Sequence, residues 1–482
     1  MISTTSRARF IASNCVLFIL VALPAVFVSG SEWIGGDGNW FDQSNWDDGV
    51  PNMTTPAVVN SGVARFDQPA TAGSDLQGLV VGGLPSTDGA FHTDGEVNGT
   101  ATLTVYGLGE IGAASGTGLG IASEGEGRLI LNGGDLISKS VIDPNSMVEV
   151  GGFSIAQASG TGTNTQFTAR GEVQISNGSL LSEGEVLVGR SGGSGAEGSR
   201  TSHGSLSIMG GDLYARTRVA VGVSSGTGLT DGIANGFATI TDGDLVVTPY
   251  GQGGFYSNSA LSVGIAFGRG DFDASAYGEL LVERGDIEAV WVEVGRAEGL
   301  SSSTARAHGR LTQRSGDLRM LMMTVGVRGL NGIEASGVFH LADGTVYGDS
   351  VGVGTEGTVI LEIGAESPAS GPSFDPSLPD HTPYGRLLAD RVSIHGVLEA
   401  RFTPNFTPQP GDSFHLIVTD SLTGDFDLQV TGLSPEEFAQ LQIIQTPTLL
   451  RLHFPVPEPS TLVLVGLGAT LLVVARRRSR RS

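Results

Sequence analysis

The sequence predicts an all-β chain wound as a right-handed parallel β-helix, a solenoid, with a small C-terminal β module and a C-terminal transmembrane helix. Three observations carry that expectation. Glycine supplies 74 of 482 residues, about twice its usual ~7% share, without a collagen period and with too much apolar content for simple disorder. A unit of the form Gly-x-apolar-x-apolar recurs along the middle of the chain, with the two-residue period of a half-buried strand. A further apolar residue then follows at a nearly constant spacing of five.

The first element, residues 1–30, reads as a signal peptide for signal peptidase. Arg7 and Arg9 precede the apolar run 10–28, and Val28-Ser29-Gly30 ends it with small residues. The one cysteine, Cys15, lies inside it. The exported protein therefore has no disulfide and no thiolate metal site, and its stability rests on its core. Without the two ends, seven arginines and one glutamate fewer, the body carries 20 basic and 49 acidic residues, a net charge of -29. Such a surface repels nucleic acid and anionic lipid, so no nucleic-acid partner is expected.

Residues 31–66 form a Trp-rich N-terminal cap. "WIGGDGNWFDQSNWDDGVP" (33–51) holds Trp33, Trp40 and Trp46, three of the four tryptophans. A solenoid must cover its ends, and tryptophans suit a plug. The alternative is that the three rings form a platform for glycan. Asp37, Asp42, Asp47 and Asp48 lack the spacing of a calcium loop, so no metal is expected there.

Residues 67–365 are the repeats. Units open at Gly99, Gly127, Gly171, Gly204, Gly236, Gly278, Gly309 and Gly337. In seven of them the apolar residue five positions on is Leu136, Leu180, Leu213, Leu245, Ile287, Leu318 or Val346, each two residues after a glycine. Five of those glycines precede aspartate, a turn pair in which glycine accepts positive φ and aspartate bonds backbone N–H groups nearby. A third strand ending in glycine follows, as in "VEVG" (148–151), "VLVG" (186–189) and "VAVG" (219–222), and then a Ser/Gly/Thr-rich loop. Three short strands and one loop at a fixed corner describe one coil of a parallel β-helix. A stack of antiparallel hairpins, as in a sandwich or propeller, is the competing arrangement.

Residues 366–384 place five prolines between Pro368 and Pro383 and read as a linker. Residues 385–455 read as a compact β-rich module with one short helix at 434–442, opened by a Ser434/Glu437 capping box with Pro435 in its first turn. The W-x-G-G…W…N-W…G-x-P opening and the segment 396–426, with its Pro-Gly-Asp turn and Phe-x-Leu-Ile-Val strand, resemble autotransporter passenger domains. The resemblance implies an exported β-helix body.

Catalytic chemistry finds little to stand on. Asp271 and Asp273 are the nearest carboxylate pair, with no Lys or His motif beside them. His203 and His308 belong to separated units, too far apart for one metal. No cofactor, catalytic residue or metal ligand is expected, and the chain is read as no enzyme.

The last element is 456–482. Val456-Pro457-Glu458-Pro459-Ser460 precedes sixteen uncharged residues, 460–475, and then Arg476, Arg477, Arg478, Arg480 and Arg481. A helix of that length spans ~24 Å, short of a ~30 Å hydrocarbon core, with the arginines as a cytoplasmic stop. The Pro-Glu-Pro, apolar helix and arginine cluster closely resemble the PEP-CTERM sorting signal. That resemblance implies an exosortase-type membrane peptidase as partner. It also implies transient anchoring, then residence at the cell surface or in an extracellular exopolysaccharide matrix.

Overall fold

A computed structural model describes residues 30–456, apart from 67–74, 78, 83–90, 100–101, 107, 120–121, 143–148, 151, 164, 248–259, 331 and 365–383. The described chain is nearly all β, and its strands pair in parallel with strands one repeat away, as in a parallel β-solenoid. Each coil contributes three strands to three ladders. The seven apolar residues singled out by spacing, Leu136 to Val346, stand on one column with Leu103 below and Leu387 and Ile417 above. A second column runs from Val59 through Val81, Ile111, Ile155 and Val188 to Ile394. These side chains are buried and form one continuous aliphatic core.

Opening glycines form a third column, which corrects one register. Gly95, not Gly99, pairs with Gly127 and Gly62, while Gly99 lies opposite Leu131. A four-residue slip keeps the period-two pattern intact, so alternation alone did not distinguish the two. A second correction concerns "VEVG" (148–151). Val150 and Glu149 instead pair antiparallel with Val141 and Ile142. The third strand of that coil begins at Gly152, and Ala156 takes the closing-glycine position at φ 59°.

The turn aspartates also act differently from the expectation. Each accepts from the backbone N–H of the equivalent residue in the next coil: Asp212 from Asp244 (2.9 Å), Asp244 from Asp286 and Asp286 from Asp317 (both 2.8 Å). Ser179 does the same for Asp212 at 3.0 Å, and Asp317 for Thr345 at 3.0 Å. The turn corner thus carries its own side-chain ladder.

The Ser/Gly/Thr-rich segments are β-structure over much of their length. Strands Glu185–Met209 and Arg218–Ile240 run from one coil's third strand into the next coil's first. Outgoing residues 190–195 pair with 223–228, and returning residues 198–203 with 230–235. Each segment is therefore a two-armed tongue stacked on its neighbours. The arms approach closely around small buried residues, including Ala266, Ala276, Ala297 and Ala307 with Phe272. At the tongue's neck a Cβ on Gly222 (φ +67°) would lie 1.9 Å from the Tyr277 carbonyl oxygen, and one on Gly236 would lie 2.2 Å from the Gly222 nitrogen. No other residue fits either place.

Two boundaries dissolve. The cap segment already belongs to the stack, because Ser31 pairs with Ala57 and Asp37 with Val63. Residues 385–455 continue the ladders: Gly385–Ile394 pairs with Gly344–Val353, and Val397–Phe402 with Gly357–Ile363. Ile363 and Tyr384, on either side of the Pro-rich stretch, bridge directly, so the described residues on its two sides belong to one stack. Among the described residues no helix is long and apolar enough to cross a membrane, and the expected span, 460–475, lies outside them.

Candidate functional site

The C-terminal end of the stack presents the sorting segment. The last strands paired in parallel are Ser413–Thr423 and Asp427–Thr431; the start of Ser413–Thr423 also pairs antiparallel with Leu449–His453, itself paired with Gln442–Thr446. Before this hairpin lies helix Pro435–Gln440, with both bonds of the Ser434/Glu437 capping box present. The Ser434 backbone N–H, donating to the Glu437 carboxylate, holds that group below its ordinary pKa.

Aromatic rings close the aliphatic column here. Phe402 meets Phe414 and Phe454 edge-on at 5.8 and 6.0 Å. Phe454 is buried, its N–H donates to the Asp412 carbonyl (2.9 Å), and its carbonyl accepts from Gly411 (2.6 Å). Two residues later Val456 is exposed. Among the described residues the buried core therefore ends at Phe454, immediately before the segment singled out as a sorting signal. Pro457, Glu458, Pro459 and Ser460, and Arg476, Arg477, Arg478, Arg480 and Arg481, lie outside the described residues.

At the opposite end the three cap tryptophans are 0–3% exposed. Trp46 stands edge-on to Trp33 at 5.1 Å and to Trp40 at 4.7 Å, and Trp40 edge-on to Phe66 at 5.3 Å. A sugar platform needs a ring face open to solvent, and Trp33, Trp40 and Trp46 present none. The neighbouring aspartates have local uses. Asp37 takes a bidentate pair from Arg65 (2.7 and 2.9 Å), Asp42 caps Ser44, and Asp47 accepts from the Glu32 N–H. The Arg65 hydrogen bonds hold Asp37 below the ordinary carboxylate pKa.

The carboxylate pair weighed as catalytic also has local partners. Asp271 accepts from the Ser302 hydroxyl, and Asp273 from the N–H (2.9 Å) and hydroxyl of Thr304. Both tie one tongue to the next. His203 and His308 share a column with Asn235 and Tyr277 between them. Sequence reasoning passed over Phe237 and Tyr277, exposed aromatics beside the opening glycines Gly236 and Gly278. The available signal was the polar residues at the same positions in the adjoining coils, Ser205 and Glu279 beside Phe237, and Asn235 and His308 beside Tyr277.

Residues 455–481 match the PEP-CTERM protein-sorting motif. No curated protein and no solved structure matches the chain. The motif implies export, anchoring through the C-terminal tail and processing by an exosortase-type membrane protease.

Proposed function

We propose that the protein is a non-enzymatic structural component of the cell surface or extracellular matrix, exported by its signal peptide and cleaved from its tail by an exosortase-type peptidase. The observation that carries this reading is the join at 454–456. The sorting motif begins one residue beyond Phe454, the last buried side chain among the described residues. Prolines at 455, 457 and 459 disfavour helix across the junction and hold the peptide extended between body and membrane. A long, disulfide-free β stack with a strongly acidic exterior suits a soluble, persistent matrix element.

The test is C-terminal mass spectrometry of the mature protein from envelope and medium. A terminus near 457–459 is the expected result. A mature product that still ends beyond Arg481 overturns the sorting reading. A carbohydrate-binding adhesin is the second reading, favoured by the exposed aromatic pair.

A further inference from the structure

Many exposed arginines of this acidic body are held by carboxylates: Arg65 by Asp37, Arg128 between Glu96 and Glu172, Arg284 by Asp242, Arg319 by Asp286 and Asp317. Strand Ala305–Gln313 breaks that pattern. Arg306 and Arg310, and Arg314 just past its end, are exposed and alternate with buried neighbours, so all three face solvent from one coil. None of the three has a carboxylate within 4 Å among the described residues. Successive guanidiniums stand ~13 Å apart along the strand.

The two preceding coils place an exposed aromatic pair beside this row. Phe237 is 45% and Tyr277 39% exposed, with ring centroids 5.5 Å apart at 45°. Tyr277 lies in register between Asn235 and His308, and Glu279 between Phe237 and Arg310. Glu279 accepts from the Tyr277 hydroxyl (3.2 Å); it stands in register beside Arg310, as Glu334 does beside Arg306, and neither closes an ion pair with its arginine. The result is an exposed parallel-sheet face on which two aromatics stand beside a row of three guanidiniums that close no ion pair among the described residues.

We propose that this face binds an acidic polysaccharide, with sugar rings against Phe237 and Tyr277 and carboxylates on Arg306, Arg310 and Arg314. An exposed apolar patch rimmed by polar groups marks an interaction site. Sugar rings offer apolar C–H faces to aromatics, and the guanidinium fork matches a carboxylate bidentately. A flat sheet takes an extended polymer without the concavity that a small ligand needs. Nucleic acid also stacks on aromatics and pairs with arginine, and it is the competing occupant that the test distinguishes. The proposal goes beyond the sorting reading and does not depend on it, because binding is read whether the tail is attached or cleaved.

The test is affinity electrophoresis of the exported protein through gels containing alginate, a uronate polymer, or dextran, a neutral one. A single-stranded DNA oligonucleotide is tested by mobility shift. The expected result is retardation by alginate that weakens with salt, none by dextran and weaker binding of DNA. The triple variant R306Q/R310Q/R314Q raises the apparent Kd for alginate about tenfold or more, and F237L/Y277L weakens binding while keeping its salt dependence. The arginine side chains have no carboxylate partners to lose, so the triple variant keeps the wild-type melting temperature. R306K/R310K/R314K, which keeps the charge without the fork, retains part of the binding and guards against loss by misfolding. Equal retardation by dextran, tighter binding of DNA than of alginate, no binding of alginate, or alginate binding unchanged in the triple variant each overturns the proposal.

Discussion

Trp40 and Trp46 share one plug and differ in one hydrogen bond. The Trp46 indole N–H donates to the Trp40 carbonyl at 2.7 Å, whereas the Trp40 indole N–H is buried without an acceptor. Replacing Trp46 by Phe removes ring volume and leaves a buried carbonyl without its donor. Replacing Trp40 by Phe removes similar volume together with an unsatisfied donor, which offsets part of the loss. W46F is therefore expected to destabilise by about 1 kcal/mol more than W40F, read as the difference in unfolding free energy in urea. Equal losses would mean that the bond contributes nothing. The tryptophans were legible as a cap in the sequence, but their burial was not settled there. Spacings of seven and six residues specify no face, and a plug and a platform use the same residue type.

The turn ladder couples neighbouring coils through side chains. Asp244→Ala strips the Asp286 N–H of its acceptor and is expected to cost about 1 kcal/mol in urea unfolding. Asp244→Ser restores most of it, since Ser179 already serves Asp212 in this way. If Asp244→Ala and Asp244→Ser lose the same amount, the ladder has no energetic role. Gly-Asp was readable as a turn from sequence, but its hydrogen-bond partner was not. A short carboxylate reaches N–H groups within its own turn and above it alike, and stacking decides between them. The tongues were legible only in part. Their Ser/Gly/Thr content reads as loop, while Ala276 and Ala307, each two residues before an opening glycine, carry the strand alternation outward past the neck. Small residues there let two arms pack closely, a tertiary requirement that composition disguises.

Across the whole molecule, the stack passes the Pro-rich stretch without a break. The Ile363–Tyr384 bridge closes that excursion at its base, so replacing residues 366–382 with a short Gly-Ser turn is expected to leave the melting temperature within about 2 °C of wild type. Shortening a closed loop changes its closure entropy only slightly. A large drop, or a second unfolding transition, would show that the stretch separates two cooperative bodies. The repeat was legible because glycines and aliphatics recur at fixed offsets. The extension of the stack to Ser31 and through 385–455 was not: Gly62 and Gly396 each open a Gly-x-apolar strand, but the last first-strand segment, at Asp427, follows Phe426 instead of glycine.

The paired neck glycines separate what has to stay constant from what is free to drift. From Gly189 to Gly337 each tongue hangs from a pair of close-set glycines, and the distance from closing to opening glycine falls from 15 residues at Gly189–Gly204 to 11 at Gly326–Gly337 with the aliphatic columns still in register. Surface segments on such a scaffold can gain or lose residues coil by coil, as entries change in a bound ledger whose spine does not move. A stack built this way tolerates changes of length on its exterior without a shift of its interior columns.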